Sequence, residues 1–371
     1  MKQKRLIIII LMLLIFFIPA GCNTKGDEDI ENVDISSDSD PEDDKNDPEP
    51  KNIPVSYNAF NPLTGLYDMA SDNVGVRPVA VSMTNYRYSR WQSGISAADI
   101  IFEAESEQGQ TQMICIYADI RKIGVIGPVG NVYDTHVKAI LNINPVILHR
   151  GYPRDYPDCY LDKNNIPSLS GEADGSLLYV DEERHEEYLL EYSIFTDGTR
   201  ISNAIKNSFF EASGNWTAFD FASLEQPVTT KDSGVARNVT AIFSGTYDVD
   251  LRYDDDKGEY CKYQFLFSHS ENDSKNKPLS FGNAFILFAH FDAVTDLNGV
   301  NNRLTQADYS GGGKGYYFFE GRYQEISWEK NTATGLFTFY DNDKQILKVN
   351  PGKTYIAVLN SLNEFTLNIS E

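Results

Sequence analysis

Positive charge is scarce in this chain. Its 371 residues hold 32 Lys and Arg against 54 Asp and Glu, a net charge of −22. That imbalance excludes a nucleic-acid partner and docking on an anionic bilayer. Cysteine is scarcer, with four residues. Beyond Cys22 only Cys115, Cys159 and Cys261 remain, an odd number that gives no disulfide framework, and no C-x-x-C pair offers a metal or redox site. Cys115, in the apolar run TQMICIYAD, reads as inert core; a Cys159 to Cys261 bridge stays open. The five histidines, at 136, 149, 185, 269 and 290, show neither H-x-H nor H-E-x-x-H spacing. No metal and no cofactor is therefore expected. A Gly-x-Ser-x-Gly elbow is also missing, and with it the usual setting of a serine nucleophile.

The N-terminal apolar run is short as well. Residues 6–18 are 13 apolar residues preceded by Lys2, Lys4 and Arg5, against the roughly 20 that a membrane-spanning helix needs. The pattern reads as an export signal over 1–21. It ends in Pro19-Ala20-Gly21-Cys22, which resembles the lipobox of bacterial lipoproteins, with Pro19 where an aliphatic residue is usual. Cys22 is then the lipidation site. Two acyl chains, at about 0.8 kcal/mol per buried methylene, anchor stably where one does not. Residues 24–54 carry 12 Asp or Glu against 3 Lys and four apolar residues. Such a stretch cannot offset its ordering entropy, so 22–54 is expected to be a disordered acidic tether. It would span on the order of 30 Å as a coil and roughly 100 Å when stretched. Without the tether and the signal the remainder still carries −16.

The folded part reads as α+β. Over 55–225 strands and helices mix. RPVAVSMTN is a strand, and IIFEAESE and TQMICIYAD flank a turn as a hairpin. THVKAILNI has helical spacing, and PVILHRG is a buried strand. DEERHEEYLLEYS is expected as a helix with Tyr188, Leu189, Leu190 and Tyr192 turned inward, and GTRISNAIKNSFFEA as another. Over 232–371 short aromatic and β-branched runs alternate with turn clusters, the mark of a mostly antiparallel β-rich domain.

The ordered phrases NPLTG, RPVAV, QSGISAADIIFE, IGPV, GGGKG…EGRYQEISWEK, FYD and VNPGKTYIAV together resemble the YerB-like lipoprotein family of Gram-positive bacteria, over nearly all of residues 60–360. The resemblance implies a lipid-anchored protein on the extracytoplasmic face of the membrane, with a two-part domain of no established activity. Where the family carries arginines, this chain has Gln112, Gly130 and Tyr133; Arg90 survives and Arg150 follows His149. If those arginines line an anion pocket, it is largely dismantled here.

Two functional readings follow. The first is a binding protein for peptidoglycan or another exported protein, with Asn85, Arg90, Gln92, Glu103, Glu107, Asn131 and His149 converging in one cleft. The alternative is a wall polysaccharide hydrolase. Glu103, Glu105 and Glu107 would share a strand face about 6.6 Å apart, within the range of an inverting carboxylate pair. Tyr316, Tyr317, Trp328 and Tyr340 are candidates to stack on sugar rings. The run Gly311 to Gly315 lacks the helix that a phosphate loop requires and reads as a turn or bulge.

Overall fold

Two apolar runs around Gly109 form the expected hairpin, Ile100–Glu107 antiparallel to Gln110–Tyr117. The computed structural model describes residues 57–371 apart from 108, 122, 154–155, 157–158, 211–215, 229–232, 275–276, 296, 300, 332–336 and 363–365. The signal, Cys22 and the tether lie outside the described residues.

The architecture is strand-rich, 46% strand against 15% helix. A twelve-stranded sheet runs Gly234–Val235, Arg322–Lys330, Gly313–Phe319, Asn283–Thr295, Asn301–Asp308, Ile100–Glu107, Gln110–Tyr117, Val79–Thr84, Val146–His149 and Ser168–Ser170. Phe337–Tyr340 pairs with Arg322–Lys330. Thr354–Asn360 lies parallel to both Asn283–Thr295 and Ile100–Glu107. A second sheet of six strands comprises Phe267–Ser268, Glu259–Gln264, Tyr247–Asp254, Asn238–Ser244 and Leu367–Ser370 in order, with Ser280–Phe281 beside Glu259–Gln264.

The segments 55–225 and 232–371, read as separate domains, thus share their main sheet, and Pro54–Glu371 forms a single compact unit. The cause is burial on both faces. Ile100, Phe102 and Ala104 enter one core with Val137, Ile140 and Phe285, while Ile101 enters a second with Val239, Leu251 and Phe281. A strand apolar on both faces needs cover on both sides. The helix Asp134–Ile140 contributes to the first core, and the six-stranded sheet closes the second.

Among the described residues every α-helix precedes Ser208: Asp134–Ile140, Tyr160–Lys163, Glu182–Glu187 and Gly198–Asn207. The expected longer helix stops at Glu187, and Leu189 and Leu190 are exposed rather than turned inward. Arg184 draws the chain back instead, its Nε donating to the Tyr192 carbonyl at 2.6 Å. The Cys159 to Cys261 bridge left open by the sequence is not made: Cys115, Cys159 and Cys261 are all free, and Cys115 is buried in the core as expected. Cys159 Sγ lies 3.9 Å from Asp134, whereas Cys261 Sγ accepts from Lys257 Nζ at 3.4 Å.

Candidate binding site

Alternation along Glu259–Gln264 puts Tyr260, Lys262 and Gln264 on the face turned toward the main sheet, and all three are buried. Opposite them stands Glu103, on the same face of its strand as Ile101. Lys262 Nζ lies 3.2 Å from Glu103 Oε2, and neither side chain is exposed to solvent. Glu103 Oε1 accepts from Asn85 Nδ2 at 2.8 Å, Thr111 Oγ1 at 2.7 Å and Gln264 Nε2 at 3.0 Å, and Oε2 accepts from Tyr355 at 2.8 Å. Both carboxylate oxygens are therefore saturated, which is the condition a buried charge must meet.

Lys262 extends the network outward. Its Nζ donates to Gln264 Oε1 at 2.9 Å and to His269 Nδ1 at 2.7 Å. With Nδ1 accepting, His269 carries its proton on Nε2 and donates to Gln92 Oε1 at 3.0 Å. Gln92 Nε2 then donates to the Thr84 carbonyl at 3.2 Å. Burial, reinforced by Lys262, holds His269 well below the usual histidine range. Burial also pulls the Lys262 amine down, against the opposing charge and hydrogen bond of Glu103.

Of the seven residues expected in one cleft, Asn85, Gln92 and Glu103 share this network and the other four do not. Arg90 stacks over Phe267, its guanidinium 4.0 Å from the ring centroid. Glu107 lies past a bulge and accepts from the Tyr133 hydroxyl at 2.7 Å. Asn131 sits in the loop crossing the strand ends, its Oδ1 accepting from Arg150 Nε at 3.3 Å. His149 is buried against Tyr152, with ring centroids 5.1 Å apart and Nδ1 3.1 Å from the Gly151 carbonyl. The carboxylates read as a pair also part company. Glu103 is sealed by five donors, Glu105 accepts from the Gly109 amide at 2.9 Å, and Glu107 serves Tyr133.

Sequence reasoning missed Lys262, Gln264, His269, Thr111 and Tyr355. The available signal was Lys262 and Gln264 at the inward positions of an otherwise ordinary strand.

Gln112 and Gly130, two of the positions that the family resemblance marks for arginine, form a filled corner. Gln112 Nε2 donates to Ser82 Oγ at 3.0 Å and to the Asn131 carbonyl at 3.2 Å. A Cβ on Gly130 would lie 2.2 Å from that same nitrogen. Gln112 thus occupies the space that a larger residue at 130 would use.

The accessible concavity lies elsewhere, along the glycine run. A groove of about 810 Å³ is bordered by Phe288, His290, Asp308, Gly312, Lys314 and Tyr316. Across Tyr316 a smaller one of about 290 Å³ carries Glu325, Ser327, Asp341 and Asn342. Asp308 also borders a cavity of about 440 Å³ with Lys138, Tyr160, Tyr309 and Lys330. Burial there lowers the Lys330 amine to about 8. Of the four aromatic rings expected to meet sugars, Tyr317 and Trp328 are core, while Tyr316 and Tyr340 are half-buried.

Two sheets packed on a common core and flanked by short helices put this chain in the strand-rich class. Within it the chain is a member of the DUF3048 family. Residues 63–211 match the protein of unknown function (DUF3048) N-terminal domain, and residues 239–356 match its C-terminal domain. It is 26% identical over 316 residues to the Bacillus subtilis (strain 168) protein named "Putative lipoprotein YerB", covering 84% of this chain and 89% of that one. The crystal structure of YerB from Bacillus subtilis has a similar fold, with a TM-score of 0.70 at 23% identity, covering 84% of this chain and 99% of that chain.

Proposed function

We propose that the chain is an envelope lipoprotein, held through Cys22 on the outer face of the cell membrane, whose folded body binds a wall polysaccharide in the groove beside Tyr316. The groove is the observation that supports the reading. A half-buried aromatic ring stands between two concavities edged by Asp308, His290, Glu325 and Asn342. A sugar ring offers the matching surface, an apolar face for the ring and hydroxyls for the polar edge. The helix-bearing first half and the strand-rich second half are read as one working unit.

The hydrolase reading gains nothing from the geometry, because Glu103 has no exposure and no unsatisfied oxygen. A sedimentation experiment tests the choice. Residues 54–371 should pellet with isolated wall, and Tyr316→Ala should weaken that binding about tenfold with an unchanged Tm. Wild-type protein left in the supernatant would sink the proposal. Release of soluble muropeptides would restore the hydrolase.

A further inference from the structure

The turn between Glu259–Gln264 and Phe267–Ser268 has two residues, Phe265 and Leu266, at φ +55° and +68°. Positive φ at both places is the type I′ geometry, which favours Asn and Gly. Two bulky residues there strain the backbone, and strain of this kind persists chiefly at functional sites. Phe265 recovers something by packing on Tyr247, with centroids 5.2 Å apart. Leu266 recovers nothing, being 99% exposed.

Beside this tip lies Arg90. Its guanidinium is stacked on Phe267, half-buried, and makes no hydrogen bond or ion pair among the described residues; Nη1 is sealed in, while Nε and Nη2, equally unpartnered, keep some exposure and are the atoms a docked group would meet. The backbone that carries it is pinned by Arg184 Nη2, which donates to the carbonyls of Tyr88, Ser89 and Arg90 at 3.3, 2.9 and 3.3 Å. Tyr88 is 62% exposed, and Phe267 45%. Aromatic residues and arginine are the types that dominate binding energy in protein interfaces. Arg87 lies close enough to repel Arg90, so the missing acceptor is better supplied by an anion than by a neutral group.

We infer that this surface docks a carboxylate-bearing segment of another exported protein. Arg90 takes an Asp or Glu side chain, and Leu266 and Tyr88 take the apolar residues flanking it. The site is separate from the Tyr316 groove and stands or falls independently of it.

A random twelve-residue peptide display library panned on the intact chain tests this. The enriched peptides should carry Asp or Glu next to an aromatic or aliphatic residue. Their affinity should fall at least tenfold in Arg90→Gln. In Leu266→Gly the same affinity should fall while Tm rises, a combination that a purely structural role for the turn does not produce. Peptides without an acidic residue, enrichment undiminished on Arg90→Gln, or unchanged binding by Leu266→Gly would each overturn the inference.

Discussion

Glu103 and Lys262, from strands of different sheets, form an ion pair 3.2 Å long with no solvent exposure on either side chain. Removing one partner strands the other charge in the core, at a cost of about 3–5 kcal/mol. Urea unfolding of Glu103→Gln and of Lys262→Met should each show a loss of that order. The double variant should be less destabilised than the sum of the two, because no charge is then left unpaired. Strict additivity would mean that the pair is not coupled.

Acid should weaken the fold. Burial holds His136 and His149 at about 4 and His269 lower still, whereas an unfolded histidine titrates near 6.5. As pH falls below about 6.5 the unfolded chain takes up protons that the folded chain refuses. Stability is then lost toward pH 4, on the order of 3 kcal/mol for each of His136 and His149. Asp99, raised by burial to about 6, and Glu105 and Asp134, also raised by burial, act in the opposite direction. Three histidines outweigh them. The urea midpoint should therefore drop between pH 7 and pH 4.5, and His149→Asn should flatten the slope. A midpoint that climbs on acidification would contradict this balance.

Gly130 and Gln112 should behave as a unit. Gly130→Ala has to displace Gln112 Nε2, which lies 2.2 Å from the added carbon and holds Ser82 and Asn131. A loss of about 1–3 kcal/mol is expected, much reduced when Gln112→Ala is made as well. Calorimetry with phosphate should likewise find no gain from Gly130→Arg plus Tyr133→Arg until Gln112 is also replaced.

The glycine run divides sharply. A Cβ on Gly313 would lie 2.5 Å from the Phe288 carbonyl and 2.6 Å from the Trp328 ring, while one on Gly311 meets nothing within 4 Å. Thermal melts should show Gly313→Ala destabilised by about 1–3 kcal/mol and Gly311→Ala unchanged within about 0.5 kcal/mol. Equal effects would mean that the run is not packed as described.

Local patterns carried the strands. Valine and isoleucine alternation marked Val79–Thr84 and the first hairpin, and aromatic runs marked the later ones. The shared sheet was illegible because nothing in TYIAVLN says that it will lie between Ile100–Glu107 and Asn283–Thr295. Partner choice among distant strands has no short-range signature. Lys262 was hidden for the same reason, since an inward lysine is intelligible only once Glu103 is known to face it. Leu189 and Leu190 misled because helical spacing was read without the Arg184 bond that turns the chain back.

Thr354–Asn360 follows both of its partner strands in the chain, yet it lies between them in the main sheet. A chain emerging from its first residue onward cannot place this strand between its partners until residue 360 has appeared, and such distant pairings also form slowly. Topology alone thus leaves the facing edges of Ile100–Glu107 and Asn283–Thr295 bare, as templates open to other strands, until that late segment arrives.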